Sequence, residues 1–74
     1  MEIAVQPDDV RGAPPIMPEH VELADVTAED AFAMRLLARD GDLWVRVAGE
    51  AAPRRVAGIW TDPHNGARLT LFLA

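Results

Sequence analysis

Hydrophobic side chains recur at every second position in several stretches of this chain, a period typical of half-buried β-strands. The opening stretch MEIAVQ places Ile3 and Val5 on one side and predicts a short strand. In HVELADV, at residues 20–26, Val21 and Leu23 face one way and Glu22 and Ala24 face the other. We therefore expect a strand at each of these two places.

The stretch between them breaks the alternation. PDDVRGAPPIMP places four prolines around Gly12. Proline has no backbone donor and fixes φ, so it is disfavoured in the interior of a sheet. We predict a proline-rich loop or arm over residues 7–19.

The period changes from two to 3.6 in TAEDAFAMRLLARDG, which predicts one α-helix at about residues 28–39. Thr27 is the expected N-cap, acidic residues occupy the first turn, and Gly41 is the expected stop signal. At 100° per residue, the arc expected to dock on the sheet carries Phe32, Ala33, Met34, Leu36 and Leu37. The opposite arc carries Ala31, Arg35, Ala38 and Arg39.

The rest of the chain, from Asp42 onward, predicts three strands joined by short loops, DLWVRVAGE, RRVAGIWT and ARLTLFLA. Strands in this order predict an antiparallel meander. Their three predicted sets of same-face residues are Leu43, Val45 and Val47, then Val56, Gly58 and Trp60, and then Leu69, Leu71 and Leu73. Gly58 is expected to mark a bulge or tight bend. The predicted fold is α+β and mostly β: a small antiparallel β-barrel or sandwich with one helix, forming a single domain over residues 1–74.

Composition narrows the possible functions. The net charge is −5, with eight acids and two arginines in residues 1–37 and four acids and five arginines in residues 38–74. Without a cluster of cations, binding to a nucleic-acid backbone is not expected. No apolar run is long enough to span a bilayer, and the first residues do not resemble a secretory leader. We expect no membrane partner and a cytoplasmic location.

The catalytic-looking pair in this sequence is Asp62 and His64, within the stretch TDPHNG. The chain contains neither serine nor cysteine, so a Ser-His-Asp or Cys-His nucleophile is excluded. Asp, Pro and Asn-Gly at these positions are ordinary turn residues, and the turn is the favoured interpretation. His20 and His64 lie far apart in sequence, and the isolated glycines form no phosphate-binding loop. We expect no catalytic residues, no metal, no cofactor and no small-molecule substrate.

The tryptophans and arginines of the predicted strands are the candidate interface residues. Tryptophan in a small β domain usually lies in the core, but tryptophan and arginine are also enriched at interfaces. Trp44 and Arg46 share one strand face, which suits either a patch facing a partner or a cross-strand stack within the monomer. The candidate set is Trp44, Arg46, Arg54, Arg55, Trp60 and His64.

Residues 21–74 resemble the C-terminal part of small phage head-to-tail joining proteins of the lambda-type tail-attachment family. The stretches that carry the resemblance are ELADV (22–26), DGDLWVRVAGE (40–50), RRVAGIWTD (54–62) and GARLTLFL (66–73). The resemblance implies a β-barrel or sandwich subunit that assembles into a ring between the head connector and the tail, without catalysis. It also implies that residues 1–20 form an arm that reaches neighbouring subunits.

We therefore expect a structural protein of a phage or prophage that acts in head–tail joining. Its partners would be connector and tail proteins and further copies of itself. It would be cytoplasmic in the host during assembly and a component of the virion afterwards. The alternative is a small acidic regulatory protein of the inhibitor or antitoxin type, whose acidic N-terminal half binds a basic partner. A small enzyme or ligand-binding barrel is a third, less favoured hypothesis.

Overall fold

The computed structural model describes all residues from Met1 to Ala74. One helix accompanies six strands, which form a sheet curled into a half-barrel, so the predicted α+β, mostly β, class is confirmed. The elements are β1 (Glu2–Val5), β2 (Val10–Ala13), β3 (Met17–Leu23), α1 (Ala28–Arg39), β4 (Trp44–Val47), β5 (Arg54–Asp62) and β6 (Asn65–Leu73).

The strand order in the sheet is β1-β4-β5-β6-β3-β2. The three strands β4, β5 and β6 form the predicted antiparallel meander, and β3 pairs with β6 in antiparallel register. The first strand joins this meander through a parallel pairing with β4, so the sheet is mixed. Parallel neighbours need a long crossover, which here consists of β2, β3 and α1.

The core lies between the concave face of the sheet and α1. Alternate positions of β4 and β6 point into it, as the period of two predicts. The buried apolar residues are Val5, Val21, Ala31, Met34, Leu43, Val45, Val47, Val56, Leu69, Leu71 and Leu73. Branched aliphatic side chains fill most of this space, and burying each of them contributes about 1.5–3 kcal/mol.

The helix has the predicted bounds and cap. The hydroxyl oxygen of Thr27 accepts a hydrogen bond from the backbone N–H of Asp30 at 3.1 Å. Such a cap satisfies one of the helix's free N-terminal donors and contributes about 1 kcal/mol. Past the other end, Gly41 adopts a positive φ of 79°, consistent with its predicted role as the stop signal.

The predicted docking arc of the helix is wrong in part. Ala31 is buried, although it was expected on the solvent side, whereas Phe32 is 60% exposed and Leu36 is 38% exposed. The helix buries Ala31 and Met34, and the partly buried Leu37 and Ala38 pack against the core beside them. Aliphatic side chains from the sheet already fill the concave face, so small alanines allow the close approach that Phe32 would block.

The loop or arm predicted over residues 7–19 is also corrected by the structure. A 3₁₀ turn occupies Pro7–Asp9, and β2 and β3 then form a hairpin. Two prolines lie in the turn of this hairpin, and Pro18 lies where the β2–β3 register is irregular. The prolines therefore fall where a regular ladder hydrogen bond is not required. The predicted strand after the loop is present but begins earlier, at Met17.

The predicted irregularity at Gly58 is confirmed. Val56 pairs with Leu73 and Gly58 pairs with Phe72, so Ala57 is an extra residue in β5. A bulge of this kind reverses the alternation that follows it. Val56 and Ile59 therefore both contact the core, and Trp60 points outward. The prediction that Val56, Gly58 and Trp60 share one face is wrong for this reason.

Candidate protein-binding surface

The convex side of the sheet carries most of the candidate interface residues. On β4, Trp44 lies directly opposite Arg55 of β5, and both side chains point away from the core. Arg46 shares this face and forms an ion pair with Glu2 of β1, with 2.6 Å between Nε and Oε1. We call Trp44, Arg46, Arg55 and Trp60 the convex patch.

Trp60 lies farther along β5, on the other side of the bulge. Its register partner is Thr70 of β6, and it lines a shallow depression with Glu22 and Arg68. The side chain is 52% exposed, against 36% for Trp44. Both indole rings thus lie on the outer face of the sheet, Trp44 on β4 and Trp60 on the part of β5 that pairs with β6.

The possibility of an arginine–tryptophan stack within the monomer was left open by the sequence. The aromatic contact in the structure is instead between His20 and Phe72, whose ring centroids are 5.9 Å apart. His20 is buried, and its Nδ1 lies 3.0 Å from the carbonyl oxygen of Pro18. This histidine therefore has a structural partner within its own hairpin.

Two of the predicted interface residues lie outside the convex patch. Arg54 is partly buried and holds the carboxylate of Glu19 through two hydrogen bonds, at 3.1 and 3.3 Å. This bidentate pair links β5 to the β2–β3 hairpin, so its geometry indicates a structural role. The other residue, His64, lies at the exposed tip of the hairpin between β5 and β6.

The TDPHNG stretch reverses the chain, as its composition predicts. Asp62 Oδ1 accepts a hydrogen bond from the backbone N–H of His64 at 2.8 Å. Asn65 Oδ1 accepts one from the backbone N–H of Ala67 at 3.1 Å. These are local bonds from side chain to backbone of the kind that stabilise turns. The Asp62 carboxylate is thus engaged with backbone rather than with the imidazole of His64.

The structure contains no group of three or more histidine, cysteine, aspartate or glutamate side chains placed to hold a metal ion. It also contains no helix long and apolar enough to cross a bilayer. Two surface features bear on a functional interpretation, the convex patch and the exposed side of α1.

Sequence reasoning missed the surface between α1 and β5. Phe32, Leu36 and Arg35 lie on exposed parts of the helix, and Arg35 Nη1 is 3.5 Å from the hydroxyl oxygen of Thr61. If the alanines had been counted as positions that face the core, the helical pattern would have indicated this orientation. No signal in the sequence shows that β4 pairs with only the first residues of β5. The rest of that edge of β5 therefore has no partner strand.

Comparison with known proteins gave no match to this chain among family models, curated proteins or solved structures.

Proposed function

We propose that this protein is a structural subunit of a phage or prophage that acts in head–tail joining by binding other proteins. It would assemble with further copies of itself and with connector and tail proteins, and it would carry out no reaction. It would be cytoplasmic in the host during assembly and part of the particle afterwards.

The observation that carries this proposal is the exposure of both tryptophans on the convex patch. A large aromatic side chain that stays in solvent does not contribute the stability that its burial would give to a small domain. Tryptophan, arginine and tyrosine are the residues most enriched among energetically important interface positions. A surface that keeps Trp44, Trp60 and Arg55 exposed therefore favours a role in protein binding.

The arrangement of the strands gives second support. Three of the stretches that resemble the tail-attachment family, residues 40–50, 54–62 and 66–73, cover β4, β5 and all but the first residue of β6. These strands follow one another as an antiparallel meander, which is compatible with the barrel or sandwich subunit that the resemblance implies. The outer strands β1 and β2 each have one free edge, and subunits of a ring can meet along such edges.

The alternative of an acidic regulatory protein has one observation in its favour. Several exposed acids in the N-terminal half form no ion pair within the chain: Asp8, Asp9, Asp25, Glu29 and Asp30. They would suit a basic partner. A toxin gene beside this gene, and binding of the purified protein to the toxin, would favour this alternative, whereas neighbouring capsid and tail genes favour the first proposal.

The test is a gene deletion in the strain that carries the gene, followed by complementation. Deletion is expected to yield separate heads and tails, and the native gene is expected to restore joined, infectious particles. Trp60→Ala should complement poorly because it removes an exposed anchor. Ile16→Ala is the matched control, since Ile16 is a large apolar side chain that is 92% exposed but lies on the hairpin turn.

Joined particles in the deletion strain would refute head–tail joining. Equal complementation by Trp60→Ala and Ile16→Ala would refute the convex patch as the binding surface. Circular dichroism of both variants must show the native fold for either comparison to be interpreted.

A further inference from the structure

We propose that the open edge of β5, at residues 57–61, binds an extended acidic segment of another protein, which adds to the sheet as a further strand beside α1. This inference goes beyond the head–tail proposal. It depends on the protein acting by protein binding, but not on a phage partner.

The edge is open because β4 covers only the beginning of β5. The β4–β5 ladder pairs Trp44 with Arg55 and Val45 with Arg54, and the last bond runs from the Val56 N–H to the Leu43 carbonyl oxygen. From Ala57 onward, β5 forms its ladder with β6 alone. One side of residues 57–61 thus presents backbone donors and acceptors without a strand partner, and such an edge can pair with an added strand.

A groove lies along this edge. Its walls are Arg35, Ala38 and Arg39 of α1, together with Ala57, Gly58 and Ile59 of β5, and its volume is about 240 Å³. Four of the six lining residues are small or aliphatic, and Ala38 and Gly58 in particular leave space near the backbone. An extended segment could therefore approach the edge closely enough for hydrogen bonds between backbones.

The charge at the groove indicates the chemistry of its occupant. Arg35 forms no ion pair, and its only hydrogen bond is the 3.5 Å contact with Thr61. Arg39 meets Asp40 at 3.6 Å, and both side chains are more than half exposed. In a chain with net charge −5, two arginines that are unpaired or weakly paired beside an open strand edge are complementary to carboxylates.

The same charges argue against pairing between two copies of this edge. A symmetric contact along β5 would bring Arg35 and Arg39 of both copies together, and like charges at an interface are costly. The free outer edges of the sheet in a second copy are no better occupants. The exposed Arg11 of β2 forms no ion pair, and Glu2 of β1 is already paired with Arg46. The occupant is accordingly an acidic segment of a different protein.

The experiment titrates the full-length protein with a synthetic peptide that alternates glutamate and valine and matches the open edge in length. Binding is followed by the ¹⁵N–¹H amide shifts and hydrogen exchange of residues 57–61. We expect peptide-dependent protection of amides in this segment. A peptide with lysine in place of glutamate should bind at least about tenfold more weakly, because charge repulsion replaces attraction.

Arg35→Glu and Arg39→Glu should each weaken binding of the glutamate peptide by about fivefold or more. Arg11→Glu is the matched control, because it makes the same charge change on the opposite edge of the sheet and should leave binding within about twofold. The amide spectrum of each variant shows whether its fold is retained.

Three results would overturn the proposal. These are no protection of residues 57–61, equal binding of the lysine and glutamate peptides, and protection that rises with protein concentration alone, which would indicate self-association. None of these results bears on whether the protein joins heads to tails, which the deletion strain tests separately.

Discussion

Replacement of Gly12 by alanine should destabilise the protein strongly, because the β2–β3 hairpin leaves no room for a Cβ atom there. Gly12 has a φ of +128°, and an added Cβ would lie 2.5 Å from the carbonyl oxygen of Pro18 and 2.9 Å from the Cα of Glu19. Both neighbours are backbone atoms of the paired strand, so neither can rotate away as a flexible side chain would.

The expected cost has two parts. Holding an L-residue at this φ costs about 1–3 kcal/mol. Forcing an extra carbon against fixed backbone costs about 1–3 kcal/mol more. The free energy of unfolding should thus fall by about 2–6 kcal/mol, a large part of the roughly 4–11 kcal/mol expected for a domain of this length.

Alanine substitutions at two other glycines distinguish the cost of the backbone conformation from the cost of the steric clash. At Gly49, φ is +87° but no atom lies within 4 Å of an added Cβ, so Gly49→Ala should cost only the backbone part, about 1–3 kcal/mol. Gly66 has neither a positive φ nor a close neighbour, so Gly66→Ala should change stability by less than about 0.5 kcal/mol.

The measurement is urea unfolding followed by tryptophan fluorescence and far-ultraviolet circular dichroism. The expected order of destabilisation is Gly12→Ala, then Gly49→Ala, then Gly66→Ala. If Gly12→Ala unfolds at the same urea concentration as Gly66→Ala with an unchanged slope, the hairpin is not formed as described. Residues 7–19 would then be the arm that the prolines predict.

Three further predictions concern the core, the helix and the hairpin. Leu71→Ala, at a fully buried position, should cost about 3–5 kcal/mol in urea unfolding, whereas the exposed Ile16→Ala should cost under about 0.5 kcal/mol. Thr27→Ala should cost about 1 kcal/mol by removing the helix cap, and Thr27→Ser should restore most of it. A double-mutant cycle on Arg54 and Glu19 should give a coupling of about 0.5–1 kcal/mol that decreases in high salt, and no coupling would contradict the bidentate pair.

The sequence pattern was sufficient to predict those elements whose structure depends on neighbouring residues alone. The helix bounds and the Thr27 cap follow from charge and capping patterns, and the inward positions of β4 and β6 follow from strict alternation. The turn at TDPHNG is equally local, because Asp62 and Asn65 bond to backbone within two residues of themselves.

Prediction from the sequence failed where packing between distant parts of the chain determines the structure. The prolines of residues 7–19 suggested a loop, but a hairpin accommodates them in its turn and at an irregularity of register. The orientation of α1 depends on how much space the side chains of the sheet leave for it, and a helical wheel carries no information about that space. The bulge at Ala57 could be anticipated from Gly58, but its reversal of Trp60 depends on the number of inserted residues.

The candidate site could be predicted only as a set of residue types. Tryptophan and arginine indicated an interface, and the structure places Trp44, Arg46 and Arg55 on one convex face. Arg54, by contrast, forms an ion pair with Glu19 within the chain. The open edge of β5 arises from the shortness of β4 and from pairing between distant strands. It could be recognised only once the sheet order was known.

The most direct test of the account is the amount of this protein in purified tailed particles, measured by quantitative mass spectrometry against isolated heads and isolated tails from the same strain. Membership of a ring at the junction predicts several copies in every joined particle, in fixed ratio to the connector protein. Absence of the protein from joined particles, with the protein recovered only in the unassembled fraction, would contradict the proposed function.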